Sequence, residues 1–184
     1  MNSMKRSGQN KVYIATSLDG FIADANGKID FLDTFPFPEN DDMGYYQFMN
    51  QIDAILMGRK SFETVLAFGV EWPYSKPVFV WSETVETIPV NLVDKVKLVN
   101  GNALSVLVSI QKEGYANLYI DGGKTIQSFL REDLIDEMII TTIPVLIGSG
   151  VPLFGKLDSI VKFSCVDSKV YANGVVQSRY SRVG

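Results

Sequence analysis

The chain has 184 residues, 46% of them hydrophobic, with a formal net charge of −4, no histidine and one cysteine, Cys165. This length and composition predict one globular domain with a substantial core, and the lack of a basic stripe argues against a nucleic-acid partner. Without histidine the chain cannot build a Ser-His-Asp or Cys-His relay or a histidine-ligated zinc site, and one cysteine excludes an internal disulfide or a thiolate metal cluster. We therefore expect no metal and a small-molecule partner, with a cofactor supplying the difficult chemistry.

The N-terminal residues are polar and lack the apolar run of a signal peptide, and no later run is long and apolar enough to span a bilayer. These features predict a cytoplasmic protein without a membrane partner. Residues 1–10 are predicted to be a flexible segment and 11–184 a single domain, because no repeat or change of composition marks a linker.

Short β-rich runs alternate with helical patterns through most of the chain. The first predicted strand, 12–16, is followed by a glycine-hinged loop around 21–23, and the prolines of 35–38 suit neither regular element. The next predicted strands are 54–57, 77–81, 95–99 and 118–120. The predicted helices are 41–52, 60–66, 103–111 and 124–131. This alternation predicts a mainly parallel sheet with helices on both faces.

The last part of the chain has a different pattern. Residues 135–146 form one apolar, β-branched run, and 160–170 and 175–182 are joined by Asn173-Gly174, a strong signal for a hairpin turn. The chain is therefore predicted to end in antiparallel strands.

A pair of glycines, Gly122 and Gly123, separates the predicted strand 118–120 from a helix that opens with Lys124 and Thr125. Glycines at such a junction let a ligand approach the main chain, and the free N–H groups of a first helical turn attract anions. The junction favours a phosphate or pyrophosphate ligand, with a simple tight turn as the alternative. Gly58 marks a second junction of the same kind.

The glycine pattern of a standard dinucleotide-binding domain is missing. No G-x-G-x-x-G follows the first predicted strand, and Gly148-Ser149-Gly150 is followed by Pro152 and Leu153 where a helix would have to begin. We interpret that segment as a loop between strands. A phosphate site would therefore have to be assembled from separate junctions.

Four motifs nevertheless occur in the order of one known family. They are Ser17-Leu18-Asp19-Gly20, Met57-Gly58-Arg59-Lys60-Ser61, Ile120-Asp121-Gly122-Gly123, and the spaced set Pro144, Leu146, Gly148, Gly150, Pro152, Leu153 and Phe154. From Lys11 onward the chain resembles the reductase domain of bacterial bifunctional riboflavin-biosynthesis deaminase-reductases. The resemblance implies an α/β, dihydrofolate-reductase-like fold: a mixed, mainly parallel sheet of about eight strands flanked by helices, with a C-terminal antiparallel hairpin.

The resemblance also implies NADPH lying across the carboxyl ends of the parallel strands. Its phosphates would lie between two helix starts, formed by Gly58, Arg59, Lys60 and Ser61 and by Gly122, Gly123, Lys124 and Thr125. Ala15 would offer its backbone to the nicotinamide amide, Ile22 would cover the ring, and Ile120 would contribute to both the cofactor and the substrate site.

One departure from the family concerns the choice of cofactor. The family commonly has Ser-Arg beside the adenosine 2′-phosphate, whereas here Ser82 is followed by Glu83, which would repel that phosphate. NADPH is the expected cofactor, supported by Arg59 and Lys60, and NADH is the alternative.

Two carboxylates are candidate catalytic acids by the same resemblance. Asp42 lies near the position of the pterin-binding carboxylate of dihydrofolate reductases, but it or Asp41 could simply cap the first helix. Asp19 would lie beside the nicotinamide, although an Asp-Gly turn explains it equally well. The substrate cavity would be lined by Tyr46, Val65 and Ile120, which as inward-facing residues could also be core.

The function implied is hydride transfer from NADPH to a pteridine- or pyrimidine-like ring, with the proton coming from water or an aspartate. The related reaction is that of 5-amino-6-(5-phosphoribosylamino)uracil reductase in riboflavin biosynthesis. Dihydrofolate reduction and a non-catalytic nucleotide- or pterin-binding role are the alternatives. Because the family often forms homodimers, a homodimer is also an expectation.

Overall fold

A computed structural model describes residues 8–35, 41–85 and 87–184 of the chain. Its strands are β1 (Asn10–Ser17), β2 (Phe21–Asp24), β3 (Ala54–Gly58), β4 (Val78–Trp81), β5 (Val96–Val99), β6 (Leu118–Asp121), β7 (Glu137–Ile143), β8 (Gly150–Pro152), β9 (Phe163–Val170) and β10 (Val176–Arg182). Its α-helices are α1 (Tyr45–Met49), α2 (Arg59–Ala67), α3 (Ala103–Lys112) and α4 (Gly123–Arg131), and 3-10 helices form at Asp30–Thr34 and Val90–Leu92. Within these ranges no helix is long and apolar enough to cross a membrane.

Eight strands form one sheet in the order β5-β4-β3-β6-β1-β7-β10-β9. The first six are parallel to their neighbours, and β10 is antiparallel to both β7 and β9. The turn between β9 and β10 is held by hydrogen bonds between the backbones of Tyr171 and Val175, with Gly174 at a φ of 85°. The predicted α/β fold, its mainly parallel sheet and its terminal hairpin are thus confirmed.

Both faces of the parallel strands are covered by helices. In β3, Ala54 and Leu56 point toward α3 and α4, whereas Ile55 and Met57 point toward α1 and α2. All four side chains are 0% exposed. This burial on both sides explains why the strand is continuously apolar and does not alternate with polar residues.

The structure corrects several predicted boundaries. The loop predicted around 21–23 is strand β2, because β8 pairs with it in a small antiparallel ribbon. The helix predicted over 41–52 is only Tyr45–Met49, because Met43 and Gly44 before it have φ values of 56° and 84°. The strand predicted over 135–146 ends at Ile143, just before a proline that cannot donate to a ladder.

The N-terminal prediction is only partly covered by the structure. Of the predicted flexible segment 1–10, residues 1–7 lie outside the described ranges, but Asn10 is already the buried first residue of β1. Its side-chain amide donates to the Leu134 carbonyl at 2.8 Å, and its backbone N–H donates to Asp136 at 2.7 Å. Most of the predicted proline loop at 35–38 also falls outside the described residues.

Candidate cofactor and substrate site

The sheet opens between β1 and β6. Within the described residues β1 pairs with β6 only through Asn10 and Lys11, whereas it pairs with β7 as far as Ser17. Beyond Lys11, β1 and β6 are connected through a side chain: the Tyr119 hydroxyl donates to the Tyr13 carbonyl at 2.8 Å. We call the gap between β1 and β6, from Tyr13 onward, the slot.

Ala15 faces the slot through its backbone. Peptide carbonyls alternate in direction along a strand, so the carbonyl of Ala15 points to the same side as that of Tyr13, two residues earlier. The Tyr13 carbonyl accepts a hydrogen bond from the Tyr119 hydroxyl on β6, so the carbonyls of both Tyr13 and Ala15 point toward the slot. The main chain of Ala15 is therefore positioned to bond a planar amide entering there.

The helices α2 and α4 begin side by side, at the ends of the neighbouring strands β3 and β6. A β-carbon on Gly122 would overlap the Ser61 hydroxyl, and one on Gly58 would lie 3.0 Å from the Thr125 hydroxyl oxygen. Gly122 also has a φ of 89°, which L residues rarely adopt. We call these two facing helix starts the cradle. Their unpaired N–H groups and dipoles favour an anion between them.

Three cations accompany the cradle. Arg59, Lys60 and Lys124 are exposed residues of the first turns of α2 and α4. The Arg59 guanidinium bonds the Glu63 carboxylate at 2.9 Å on the next turn of α2, which neutralises part of its charge. Within the described part of the chain Lys60 and Lys124 form no ion pair, so they add positive charge at the cradle.

The ribbon of β2 and β8 packs against the start of α4. A β-carbon on Gly123 would lie 2.9 Å from the end of the Ile22 side chain and 3.3 Å from Val151. Gly123 therefore allows this close approach, and Ile22 is held next to the cradle.

The end of β4 lies beside the start of α2, because Trp81 is the register partner of Gly58. Here the Ser82 hydroxyl oxygen accepts from the backbone N–H groups of Thr84 and Val85, at 3.1 and 3.0 Å, and so closes a turn. Glu83 is exposed on this turn. The serine is engaged by its own loop, and among the described residues of this turn Glu83 is the charged side chain without an ion pair.

A cavity of about 400 Å³ lies on the α1 face of the sheet, lined by Tyr13, Ala15, Asp41, Asp42, Met43, Tyr45, Tyr46 and Thr141. The Tyr13 ring meets Tyr45 edge to face, with 5.5 Å between centroids. Burial raises the pKa of Tyr13 to about 12, so its hydroxyl keeps its proton and donates to the Met43 carbonyl at 2.9 Å. Since Ala15 borders both the slot and the cavity, the two spaces adjoin.

Asp42 lines this cavity but also holds the start of α1. Its carboxylate accepts from the N–H of Tyr46 at 2.6 Å and from that of Gly44 at 3.0 Å. These backbone bonds, that from Tyr46 first, lower the pKa of Asp42. An ionised carboxylate at neutral pH is a poor proton donor, so this geometry favours the helix-start role over acid catalysis.

The Asp19 carboxylate, like that of Asp42, accepts backbone hydrogen bonds, but it does so at the turn that follows β1. Its carboxylate accepts from the Ser17 hydroxyl at 2.6 Å and from the backbone N–H groups of Gly148 and Ile147, at 2.8 and 3.3 Å. The Ser17 bond is the main reason that the pKa of Asp19 is lowered. Asp19 thus fastens the turn after β1 to the loop between β7 and β8. That loop holds Gly148 and Ser149 of the G-x-G match, whereas Gly150 is the first residue of β8, where the sequence predicted a loop.

The three residues predicted to line the substrate cavity, Ile120, Tyr46 and Val65, lie in three different places. The prediction for Ile120 is wrong. Ile120 is 0% exposed in the core under α3 and α4, on the face opposite the cavity, so its side chain cannot line the cavity. Its neighbours Tyr119 and Asp121 face the cavity side, because side chains alternate along a strand. Tyr46 lies at the cavity rim, 74% exposed, and Val65 is half-buried on α2, outside the described lining.

Asp121, at the end of β6, is the site residue that the sequence reasoning missed. Burial raises its pKa, against the opposing effect of hydrogen bonds from Tyr119, Ser61 and the Gly122 backbone. The Tyr119 hydroxyl is 3.3 Å from its carboxylate. Its signal in the sequence is a carboxylate that directly precedes two glycines at a strand end.

Replacing Asp121 by asparagine should change how stability depends on pH. A carboxyl whose pKa is higher in the folded than in the unfolded protein destabilises the fold progressively as pH rises from its ordinary value through the raised one. Asparagine cannot ionise. The melting temperature of Asp121→Asn relative to the native protein is therefore expected to increase as pH is raised from about 4 to about 8.

The control is Asp158→Asn, which removes a carboxylate from an exposed position. Its melting-temperature difference from the native protein should stay flat over the same pH range. A difference for Asp121→Asn that is constant or shrinks as pH rises would contradict the raised pKa.

Comparisons with known proteins identify the family of the chain. A family model described as the RibD C-terminal domain matches residues 11–177. The uncharacterized protein YwjB of Bacillus subtilis (strain 168) is 35% identical over 173 residues, covering 93% of this chain and 96% of YwjB. A solved structure of a protein from Shewanella sp. PV-4, provisionally named for riboflavin biosynthesis, is 48% identical to this chain and superposes with a TM-score of 0.91. The match covers 96% of this chain and 99% of the Shewanella protein.

More distant structures share the fold. The diaminohydroxyphosphoribosylaminopyrimidine deaminase/5-amino-6-(5-phosphoribosylamino)uracil reductase of Thermotoga maritima is 14% identical with a TM-score of 0.71, and the match covers 96% of this chain and 57% of that longer one. The neighbours therefore include proteins named for riboflavin biosynthesis and for uracil reduction, and the chain belongs to the RibD C-terminal domain family.

Proposed function

We propose that the protein is a reductase that transfers hydride from NADPH to a pyrimidine- or pteridine-like ring. The observation that carries this proposal is the order of three spaces along the carboxyl edge of the sheet: the cradle, the slot and the cavity. An anion site, a gap with free backbone groups and an aromatic cavity suit, in turn, the phosphates, the nicotinamide and the ring to be reduced.

The residues present fit a reduced nicotinamide dinucleotide. Gly58 and Gly122 keep the cradle open for a pyrophosphate, and the backbone of Ala15 would orient the nicotinamide amide. Ile22 and the ribbon behind it would exclude water from the ring face. When bound, this cofactor supplies the hydride, and the protein supplies its orientation.

Water is the proposed proton source. Asp42 and Asp19 both have lowered pKa values and both use their carboxylate oxygens for backbone bonds. Tyr46 at the rim is 74% exposed, so among the described residues solvent reaches this side of the cavity. The residues of the cavity then orient the ring, and solvent completes the reduction.

The family supports a pyrimidine of the riboflavin pathway as substrate, since the Thermotoga maritima neighbour is named for 5-amino-6-(5-phosphoribosylamino)uracil reduction. Dihydrofolate reduction is the second candidate, because Asp42 supplies a carboxylate in the cavity wall. Separate titrations with NADPH and NADH, followed by nicotinamide fluorescence, test the common step. Failure to bind either cofactor would refute both reductase assignments.

Glu83 is expected to set the preference between the two cofactors. An exposed carboxylate beside the 2′-phosphate opposes NADPH, so Glu83→Arg should raise the ratio of NADPH to NADH affinity about threefold to tenfold. Glu83→Gln, which only removes the charge, should give an intermediate ratio. Unchanged ratios in both variants would move the selection of the 2′-phosphate to other residues.

A further inference from the structure

We propose that Tyr119 is a positioning residue for the nicotinamide. By bonding the Tyr13 carbonyl across the slot, its hydroxyl fixes where the slot begins and so places the cofactor amide at Ala15. The inference rests on the proposed function and specifies how the position of the amide along β1 is set. It assigns that role to a side chain of β6 that is not among the described residues lining the cavity.

The Tyr119 hydroxyl takes the place of a strand partner for Tyr13. A buried backbone carbonyl requires a hydrogen-bond partner, but among the described residues β1 has no register partner on β6 beyond Lys11. The hydroxyl supplies the missing donor at 2.8 Å. Burial raises the pKa of Tyr119, so the hydroxyl keeps its hydrogen. The two strands can therefore separate at this point while Tyr13 stays bonded.

Ala15 is the next backbone group that faces the slot. Its carbonyl lies about 7 Å beyond that of Tyr13 along the strand, because carbonyls on one side recur every second residue. Ile14, between them, is paired with Ile140 of β7. Since Tyr13 is already bonded, a planar amide that enters the slot meets its first available β1 carbonyl at Ala15.

The Tyr119 ring is held firmly enough to set this distance. The residue is 7% exposed, and its ring packs edge to face against Phe48 with 5.1 Å between centroids. The Phe48 ring also contacts the Tyr13 ring, at 5.1 Å between centroids. A tyrosine has only two side-chain torsions, and a packed ring fixes both. The span from β6 to β1 is therefore set before a ligand arrives, which lowers the ordering cost of binding.

The same hydroxyl connects the slot with the cradle. It lies 3.3 Å from the Asp121 carboxylate, which also takes hydrogen bonds from Ser61 and from the Gly122 backbone. Ser61 lies in the first turn of α2, and Gly122 directly precedes α4. One group of bonded residues thus joins β1 to both helix starts. Buried side chains thereby fix the separation between the proposed phosphate region and Ala15.

The test measures how much the nicotinamide adds to cofactor affinity. NADPH and 2′-phospho-ADP-ribose, which is the same molecule without nicotinamide, are titrated by calorimetry into the native protein and into Tyr119→Phe. NADH and ADP-ribose form a second pair. Tyr119→Phe should lower the affinity for the intact cofactor about threefold to tenfold, the range of one hydrogen bond, and change that for the fragment less than about twofold.

Two further variants support the assignment. Tyr115→Phe removes a hydroxyl from a tyrosine between α3 and β6, whose ring packs against Phe79, and should leave both affinities unchanged. Phe48→Leu keeps the Tyr119 hydroxyl but removes the ring that packs against it. It should lower the affinity for the intact cofactor in the same direction by a smaller factor, and it decides the question if Tyr119→Phe does not fold.

The outcomes separate this inference from the proposed function. Native affinity for the intact cofactor in Tyr119→Phe would overturn the inference, and so would an equal loss for cofactor and fragment, which indicates a general structural role. A native protein that binds the intact cofactor no more tightly than the fragment would overturn it as well. If the native protein binds neither NADPH nor NADH, the proposed function itself is refuted, together with the inference.

Discussion

Gly122→Ala is expected to abolish NADPH binding while lowering the melting temperature only moderately. The new methyl group would overlap the Ser61 hydroxyl and occupy the space between the starts of α2 and α4, where the pyrophosphate is proposed to lie. At a φ of 89° the alanine also strains the backbone, at a cost of about 1–3 kcal/mol. For a chain of this size, that is a decrease of roughly 2–12 °C in the melting temperature.

Gly114→Ala is the matched control for this variant. Gly114 has a similar φ of 96°, but a β-carbon there would meet nothing within 4 Å. The residue lies between α3 and β6, at the opposite end of β6 from the start of α4. It should lose comparable stability and keep its affinity for NADPH. Native affinity in Gly122→Ala would show that the cradle is not the phosphate site.

Phe129→Ala is expected to have the largest effect on stability. Phe129 is 0% exposed and holds α4 against the sheet, with its ring edge to face with Trp81 at 6.1 Å between centroids. Truncation of a fully buried phenylalanine typically costs about 3–5 kcal/mol, through lost burial and the cavity left behind. Urea unfolding should show that loss as a lower midpoint with an unchanged slope.

An exposed phenylalanine provides the comparison. Phe68, just after α2, is 52% exposed, so Phe68→Ala should cost about 1 kcal/mol or less. If the two variants were equally stable, the packing of α4 on β4 described above would be wrong.

Much of the fold could be predicted because the parallel strands are buried on both faces. The apolar run Ala54 to Met57 and the glycines that follow such runs indicate strand ends directly, without knowledge of distant residues. The ribbon strand β2 could not be found in this way. It has four residues, and its partner β8 lies more than a hundred residues later, so tertiary pairing alone makes it a strand.

The first helix was overestimated for a related reason. Met43, Met49 and Ile52 have helical spacing and are all buried, yet Met43 lies in a left-handed turn before the helix begins. Apolar spacing predicts which side chains enter the core. It does not predict that the backbone remains helical between them.

The candidate site shows the same division between local and distant information. Gly58 and Gly122 each stand where a predicted strand meets a predicted helix, and this position indicated the cradle. The structure adds the close approach of the two glycines to Thr125 and Ser61. The Asp19 carboxylate accepts hydrogen bonds from the N–H groups of Gly148 and Ile147, almost 130 positions later in the chain. Local sequence patterns could not predict these contacts. Ile120 was predicted to face the substrate cavity, but successive side chains of a strand point to opposite faces of the sheet. Its neighbours Tyr119 and Asp121 face that side, and Ile120 faces the other.

The slot gives β1 an unpaired edge inside the sheet. Free strand edges at the margin of a sheet can be extended by strands of other molecules, which leads to aggregation. Here β7 lies on one side of β1 and β6 resumes the sheet on the other, so this free edge lies inside the sheet and not at its margin. A ligand that bonds these backbone groups has to enter between two strands of one sheet, and the architecture thereby favours thin, short ligands.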